Sequence, residues 1–345
     1  MKMIKTSEKV RRPIKIILIR NDCIGDMVIS SGVFREIKKK HPDSKITVLC
    51  SSINKELIEK NKNVDGIIVC NPFWREKTIA SFNNYFKIIK RIKKEKFDIG
   101  IDLRSSYMTL FFFLYLGRIK KRVAYYDHPF NKSKRFLTDA LPYKNNITIH
   151  ASINDLNLVN FALNMDNKDN WPDIVTDKED VNNLKAFVNQ DSNMLKPFIC
   201  IVPDASSERK QWSLNKFNNI IKYIRGGYPE YDIFLVGSNA KKINYLWKRN
   251  RGAIRCINQS LRMVYLLFKR SNLIIAPDGG PMHLAWAAKT KLIALIPKYL
   301  SLEHMGPLNK NSHVIYSEIS EIKTDEIKKL IDNILIRDRQ EILSN

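Results

Sequence analysis

Three short segments of the 345-residue chain combine residue types that can do chemistry, and each stands between an apolar run and a helical pattern. The first is Arg20-Asn21-Asp22-Cys23-Ile24-Gly25-Asp26-Met27-Val28, after which Val28, Ile29, Val33 and Ile37 recur at helical spacing. Gly25 permits a tight turn, and Asp26 either caps the new helix or projects into the crevice beside it. For an aspartate taken alone, the cap is the usual role. The second segment is Ala276-Pro277-Asp278-Gly279-Gly280-Pro281-Met282-His283-Leu284-Ala285. Its two glycines let backbone amides approach a ligand, Pro281 suits a first helical turn, and the unpaired N–H groups of that turn form an anion site suited to a diphosphate. Asp278 can accept hydrogen bonds from sugar hydroxyls, and His283, one turn into the helix, can face the phosphates, although a lone histidine is more often a satisfied core or surface group. The third is Pro203-Asp204-Ala205-Ser206-Ser207-Glu208-Arg209-Lys210-Gln211-Trp212. Lys210 there offers a point charge to a leaving diphosphate, and Ser206 or Ser207 can donate to its oxygens. The plain alternative is a solvated loop.

These segments must be held by a scaffold, and the chain alternates short apolar runs with helical patterns, as parallel sheets covered by helices do. Strands are predicted near 14–19, 46–50, 66–70, 98–102 and 121–125, with helices near 26–40, 53–61, 78–95, 105–117 and 149–164. After a polar stretch at about 165–195, read as a linker plus a peripheral helix, strands are predicted near 198–202, 232–236, 272–276 and 291–296. The helices of this half are expected near 213–226, 240–250, 260–269, 281–289 and 323–336. The expected fold class is therefore α/β, with two doubly wound, Rossmann-like domains facing across a cleft. Residues 1–165 are expected to form one domain, 166–195 a linker, and 196–345 the other, whose last helix could pack back on the first; if the two face each other, the crevice of one can hold an acceptor and that of the other a nucleotide-sugar donor. Each sheet places a crevice at the carboxyl ends of its strands.

The net charge of +24 is lopsided: residues 1–150 carry 32 Lys and Arg against 14 Asp and Glu, so +18 of it lies in the first half. Such a field suits a polyanionic partner, whether nucleic acid, an anionic membrane or an acidic substrate, but it also fits a merely lysine-rich surface. Within it, Ser81–Phe97 has Phe82, Tyr85, Phe86, Ile89 and Ile92 at helical spacing, with Lys90, Arg91, Lys93 and Lys94 among its six basic residues between Lys87 and Lys96. A basic amphipathic helix of this kind can rest on an anionic membrane, or simply cover a sheet with its lysines in water. The five cysteines form no metal-ligand spacing, which fits a reducing compartment without structural zinc. Residues 1–13 do not read as a secretory signal, and the most apolar stretch, Met108–Gly117, is half the length of about 20 residues needed to span a bilayer. The expected location is cytoplasmic, with peripheral contact to the inner face of the cytoplasmic membrane.

Taken together, the chain resembles glycosyltransferase family 9, the heptosyltransferases of lipopolysaccharide core assembly. The resemblance rests on IGDMVISSGVFREIKKKHPDSKITVL after the opening strand, DIGIDLR, HASINDLNLVNFAL, PDASSERKQW and PDGGPMHLAWAA. It implies a GT-B fold, an ADP-activated heptose donor, an inverting mechanism and an acidic lipid-linked acceptor. By position it makes Asp26 the catalytic base, Lys210 the diphosphate-binding lysine, and Asp278, Gly279, Gly280 and His283 the donor-binding turn. Two places depart from the family. Where it commonly shows Gly-x-Glu, whose carboxylate holds the nucleotide ribose, this chain has Gly237-Ser238-Asn239, which leaves Asn239 as the candidate for ribose contact. Where it commonly shows a Gly-Pro-Thr type turn, the chain has Pro297-Lys298-Tyr299-Leu300-Ser301.

Inverting transfer needs one base for the acceptor hydroxyl and an environment that stabilises the departing phosphate. No Asp-x-Asp pair occurs to hold a divalent metal, so neither metal nor cofactor is expected, and Lys210 with the Gly279–Gly280 helix end stands in for one. The expected partners are a nucleotide-diphosphate sugar, an acidic glycolipid and an anionic membrane surface. Lys90, Arg91, Lys93 and Lys94 are the candidate acceptor or anion contacts. One rival is a GT-B enzyme with another nucleotide sugar or a protein acceptor. A second is a non-catalytic nucleic-acid-binding protein, for which the chain has no RNA- or DNA-reading motif.

Overall fold

A computed structural model of the chain describes residues 12–73, 75, 79–126, 132–142, 148–189 and 196–344. In its first half, β1 (Lys15–Arg20), β2 (Lys45–Cys50), β3 (Gly66–Val69), β4 (Ile99–Asp102), β5 (Lys121–Tyr126) and β6 (Asp139–Pro142) form one parallel sheet of order β3-β2-β1-β4-β5-β6. Its helices are α1 (Ile24–Ser30), α2 (Gly32–Lys40), α3 (Ile79–Glu95), the short α4 (Tyr107–Thr109), which continues as a π-helix over Leu110–Tyr115, and α5 (Ala151–Leu163). The chain then crosses through α6 (Lys178–Asn189) to a second parallel sheet of β7 (Phe198–Ile201), β8 (Asp232–Gly237), β9 (Ile254–Ile257), β10 (Leu273–Pro277), β11 (Leu292–Pro297) and β12 (Ser312–Ser317). Its order is β12-β11-β10-β7-β8-β9, the same winding as the first sheet. The helices of this half are α7 (Leu214–Gly227), α8 (Ala240–Arg249), α9 (Leu261–Arg270), α10 (Gly280–Ala287), α11 (Leu302–Met305) and α12 (Thr324–Ser344).

Side-chain alternation in the central strands explains the layers. In β1, Ile16 and Leu18 face one apolar cluster while Ile17 and Ile19 face another; in β10, Ile274 and Ala276 divide from Leu273 and Ile275 in the same way. Both faces of each strand are buried, which is why these runs read as continuously apolar. One cluster runs through both halves of the molecule, joining Leu18, Val28 and Phe34 to Ile274, Met282 and Leu284. Leu184 and Val188 of α6 are buried in it, so that helix is less peripheral than its polar sequence suggests.

Several elements differ from expectation. The helix predicted over 26–40 is two, tightened at Ser31, whose N–H reaches Val28 O at 3.2 Å. A Cβ on the next residue, Gly32, would lie 2.3 Å from Trp171 O, so the linker backbone crosses directly over that junction. The helix expected near 53–61 is only a 3-10 turn at Lys55–Leu57. Asn54 ties this segment to the first crevice by donating to Arg20 O and Cys23 O, both at 3.2 Å. Three strands were not anticipated: β6 and β12, whose residues are mostly half-exposed, and β9, where buried and exposed positions alternate; β6, β9 and β12 are all at sheet edges. Over its described side chains the last helix packs on the second half: Ile327, Ile331 and Leu335 lie with Trp212, Phe217 and Ile220, and Asp332 accepts from Tyr223 Oη at 2.6 Å.

Candidate active site

In an open parallel sheet, ligands bind at the carboxyl ends of the strands where the winding reverses, here between β1 and β4 and between β7 and β10. The segments that follow those four strands carry Asp26, in the first turn of α1, and Arg104, Asp204 and Asp278. Two cavities open there. One of about 600 Å³ lies between the halves and is lined by Gly25, Asp26, Ser206, Lys210, Asp278, Gly279, Gly280 and His283, among others. A second, of about 280 Å³, is lined by Arg20, Asp26, Arg104, Tyr125, Asn154, Asp155 and His304. Asp26 belongs to the wall of both.

The two helix starts meet through glycines. A Cβ on Gly25 would lie 2.6 Å from His283 Cδ2, and one on Gly280 would lie 2.8 Å from Ile24 Cγ2, so any larger residue would push α1 and α10 apart. Gly279 has φ 156° and ψ −174°, a conformation essentially confined to glycine. Within α1, Asp26 is not the capping residue itself but lies three positions inside, where Oδ2 accepts from Cys23 N at 3.2 Å. Asp22 lies outside both cavity walls and accepts from Arg20 Nη1 at 3.4 Å, and burial raises its carboxyl above the usual range.

Lys210 Nζ donates to Asp278 Oδ2 at 2.5 Å, so the two candidates from separate loops form one ion pair in the cleft. Asp278 Oδ1 is buried without a hydrogen-bond partner among the described residues. His283 is 2% exposed; burial depresses its pKa, against the opposing pull of Asp278 and Asp26, and keeps the imidazole neutral near pH 7. In the smaller cavity, Arg20 donates from Nη2 to Asp155 Oδ2 at 2.5 Å and from Nε to Ser30 Oγ at 2.7 Å. Burial opposes its charge, but Asp155, Asp22 and Asp26 outweigh it. Asp102, fully buried, is pushed up to about 6 by desolvation while accepting from the backbones of Arg104 and Ser105, both at 3.0 Å, which fixes the loop that carries Arg104.

The structure thus brings Asp26, Ser206, Lys210, Asp278, Gly279, Gly280 and His283 to one cleft and leaves the other candidates outside its wall. Ser207 is exposed at the start of the 3-10 turn Glu208–Lys210. Asn239 lies outside the wall of that cleft, and its Oδ1 accepts from Lys241 N at 3.1 Å and Lys242 N at 3.2 Å, capping α8. Lys90, Arg91, Lys93 and Lys94 are exposed on the second half of α3, which ends beside the start of β4; the cavities lie at the strands' other ends, so these residues are not placed to hold the reacting end of an acceptor. The smaller cavity has its own arginines, Arg20 and Arg104. Both were legible in principle as the residues that close β1 and follow β4, the latter within DIGIDLR. His304 had no such signal, since it reaches the first half only through the fold, with Nδ1 2.8 Å from Ile149 O.

Residues 85–335 match the model of glycosyltransferase family 9 (heptosyltransferase). The chain is 25% identical over 351 residues to lipopolysaccharide heptosyltransferase 1 of Campylobacter coli, covering 93% of this chain and 98% of that one. It is 21% identical to lipopolysaccharide heptosyltransferase 3 of Escherichia coli, over 79% of this chain and 80% of that one. Among solved structures it resembles a family 9 glycosyl transferase from Veillonella parvula DSM 2008, with TM-score 0.82 and 17% identity over 94% of this chain and 97% of that one. It also resembles E. coli ADP-heptose lps heptosyltransferase II, with TM-score 0.77 and 18% identity over 94% of this chain and the whole of the other. The two wound sheets facing across a cleft are accordingly a GT-B fold.

Proposed function

The chain belongs to glycosyltransferase family 9, and from that premise we propose that this enzyme transfers heptose from ADP-heptose, with inversion and without a divalent metal, onto an acidic acceptor of the lipopolysaccharide-core type. The observation that carries the reading is the position of Asp26 in the wall shared by two cavities. The larger holds the donor, with its diphosphate between Lys210 and the first turn of α10, where the lysine charge and free backbone amides stabilise the departing phosphate. A similar E. coli heptosyltransferase has been solved with ADP, which supports that nucleotide here. The smaller cavity holds the acceptor's reacting sugar, whose acidic group faces Arg20 and Arg104.

In this mechanism Asp26 takes the proton of the acceptor hydroxyl, and the oxygen attacks the anomeric carbon from the face opposite the diphosphate. The bond from that carbon to the phosphate oxygen breaks, and ADP leaves. One displacement inverts the anomeric centre. Asp278 keeps Lys210 in the cleft, and neutral His283 packs against Gly25 at the meeting of the two helices. Lys210 with the first turn of α10 supplies the charge that stabilises the leaving diphosphate.

The deciding experiment is transfer from ADP-heptose to a core-type acceptor, with and without EDTA, beside a thermal-shift panel of ADP-, UDP-, GDP- and CDP-sugars. ADP-heptose at 100 times its dissociation constant should add about 2.7 kcal/mol of stability, and EDTA should leave the rate unchanged. Preference for another nucleotide would replace the donor, and loss of activity restored by magnesium or manganese would replace the mechanism.

A further inference from the structure

Resting on the nucleotide-sugar reading of the larger cavity, we propose that Asp204 is the residue that recognises the ribose hydroxyls of the donor. Neighbouring strands of the second sheet run β10, β7, β8, β9, at spacings of about 4.8 Å. The wall of the cleft changes character along that order. After β10 come Gly279 and Gly280, the phosphate turn; after β7 comes Asp204; at β8, β9 and α9 lie Val236, Cys256, Leu261 and Val264, an apolar strip suited to the face of a nucleobase. A nucleoside diphosphate laid across these strand ends puts its ribose between phosphate and base, over Asp204.

The carboxylate is held for such a role. Its Oδ2 accepts from Ser238 N at 2.6 Å and Asn239 N at 2.8 Å, with Ser238 Oγ at 3.4 Å. Its Oδ1 is buried and has no hydrogen-bond partner among the described residues. An unmatched buried acceptor is costly, and a ligand hydroxyl would satisfy it. Gly237 is shaped around the same group: a Cβ there would lie 2.4 Å from Asp204 Oδ2. A fixed carboxylate with a vacant oxygen can accept from vicinal hydroxyls, as acidic residues at strand ends do in other doubly wound nucleotide sites. In this chain the acid comes from the β7 end, and the amides of Ser238 and Asn239 after β8 orient it.

The test is to measure dissociation constants of ADP, UDP, GDP and CDP, and of their 2′,3′-dideoxy counterparts, for the full chain and three variants. The wild type should bind its preferred ribonucleotide at least about tenfold more tightly than the dideoxy form, as hydrogen bonds to a charged group imply. Asp204→Asn should weaken the ribonucleotide and bring that ratio to within about twofold. Gly237→Ala, which displaces the carboxylate, should shrink the ratio as well. Lys210→Ala should weaken both forms equally and keep the ratio. A wild-type ratio near one overturns the proposal whatever the variants do, and so does a tenfold ratio that survives in folded Asp204→Asn or, should that variant not fold, in Gly237→Ala. If none of the four ribonucleotides binds, the donor reading falls with it, an outcome distinct from binding without discrimination.

Discussion

At Asp26 one carboxylate meets two requirements that compete in most helices. Its Oδ2 accepts from Cys23 N and so closes the first turn of α1, yet the side chain also forms part of both cavity walls. Asp26→Asn keeps an oxygen for the Cys23 amide and removes the basicity. It should therefore melt close to wild type and bind ADP normally, while kcat falls by about 10² to 10⁴, the range of general-base catalysis. Asp22 is the control: outside both walls and beside Arg20, with its side chain only 15% exposed, it should affect stability more than kcat when changed to Asn. An active Asp26→Asn with a dead Asp22→Asn would reverse the assignment. Residue types and spacing were enough to single out Asp26, Lys210 and the Asp278–His283 turn. They could not show that Asn239 is spent on a cap or that Lys210 and Asp278 form a pair, because both depend on backbone geometry and on loops 68 positions apart.

Among the helices, α5 carries a titratable start. His150 precedes it and is 3% exposed; its Nδ1 accepts from Ser152 N at 3.2 Å and lies 2.7 Å from Ser152 Oγ. Burial, with the nearby His283 and His304, pushes its pKa from 6.5 down to about 4. The unfolded chain takes up this proton near 6.5 and the folded chain only near 4, so the contribution is complete above 6.5 and is lost as pH falls through that window. A displacement of that size corresponds to about 3 kcal/mol. Denaturant titrations across pH 4–7 should show His150→Asn, which can still cap α5, losing less stability on acidification than wild type; parallel curves would mean that His150 does not titrate this way. His283, displaced in the same direction, leaves part of the slope in the variant. At this scale the central strands and most helices were legible because burial on both faces leaves continuous apolar runs. Of the four edge strands, β3 was legible from its apolar run, but β6, β9 and β12 were not, since pairing on one side only leaves them a mixed pattern.

Across the whole molecule, the positive excess of residues 1–150 and the position of the cleft separate two tasks. The cavities lie at the carboxyl ends of the strands, whereas Lys90, Arg91, Lys93 and Lys94 sit on the half of α3 that ends at the opposite edge, near a groove lined by Arg12, Lys93, Lys96, Arg118 and Lys120. We expect this face to meet an anionic membrane while the cleft handles the sugar. Changing Lys90, Arg91, Lys93 and Lys94 to Gln should weaken binding to vesicles containing anionic lipid by on the order of a hundredfold at low salt, and leave ADP affinity unaltered. Unchanged vesicle binding would make the helix a solvated face. Among the described residues no helix is long and apolar enough to cross a bilayer, and the Met108–Gly117 stretch is spent on packing, with Leu110, Phe113 and Leu114 buried under the first sheet.

By itself the sequence determined the wound α/β class, the succession of its central elements along the chain, the family and the three segments that meet at the cleft. Those properties are local: an apolar run, a helical period and a Gly-Gly-Pro turn each express themselves over a few residues. Tertiary structure decided which of these residues meet. Asp26 reaches two cavities only because Gly25 and Gly280 let α1 and α10 approach. Arg20 and Arg104 line one cavity only because the sheet reverses its winding between β1 and β4, and Asp204 stands between the Gly279–Gly280 turn and the apolar strip only because β7 lies between β10 and β8. Strand order arises from packing whole helices on both faces of a sheet, a long-range balance that no window of residues records.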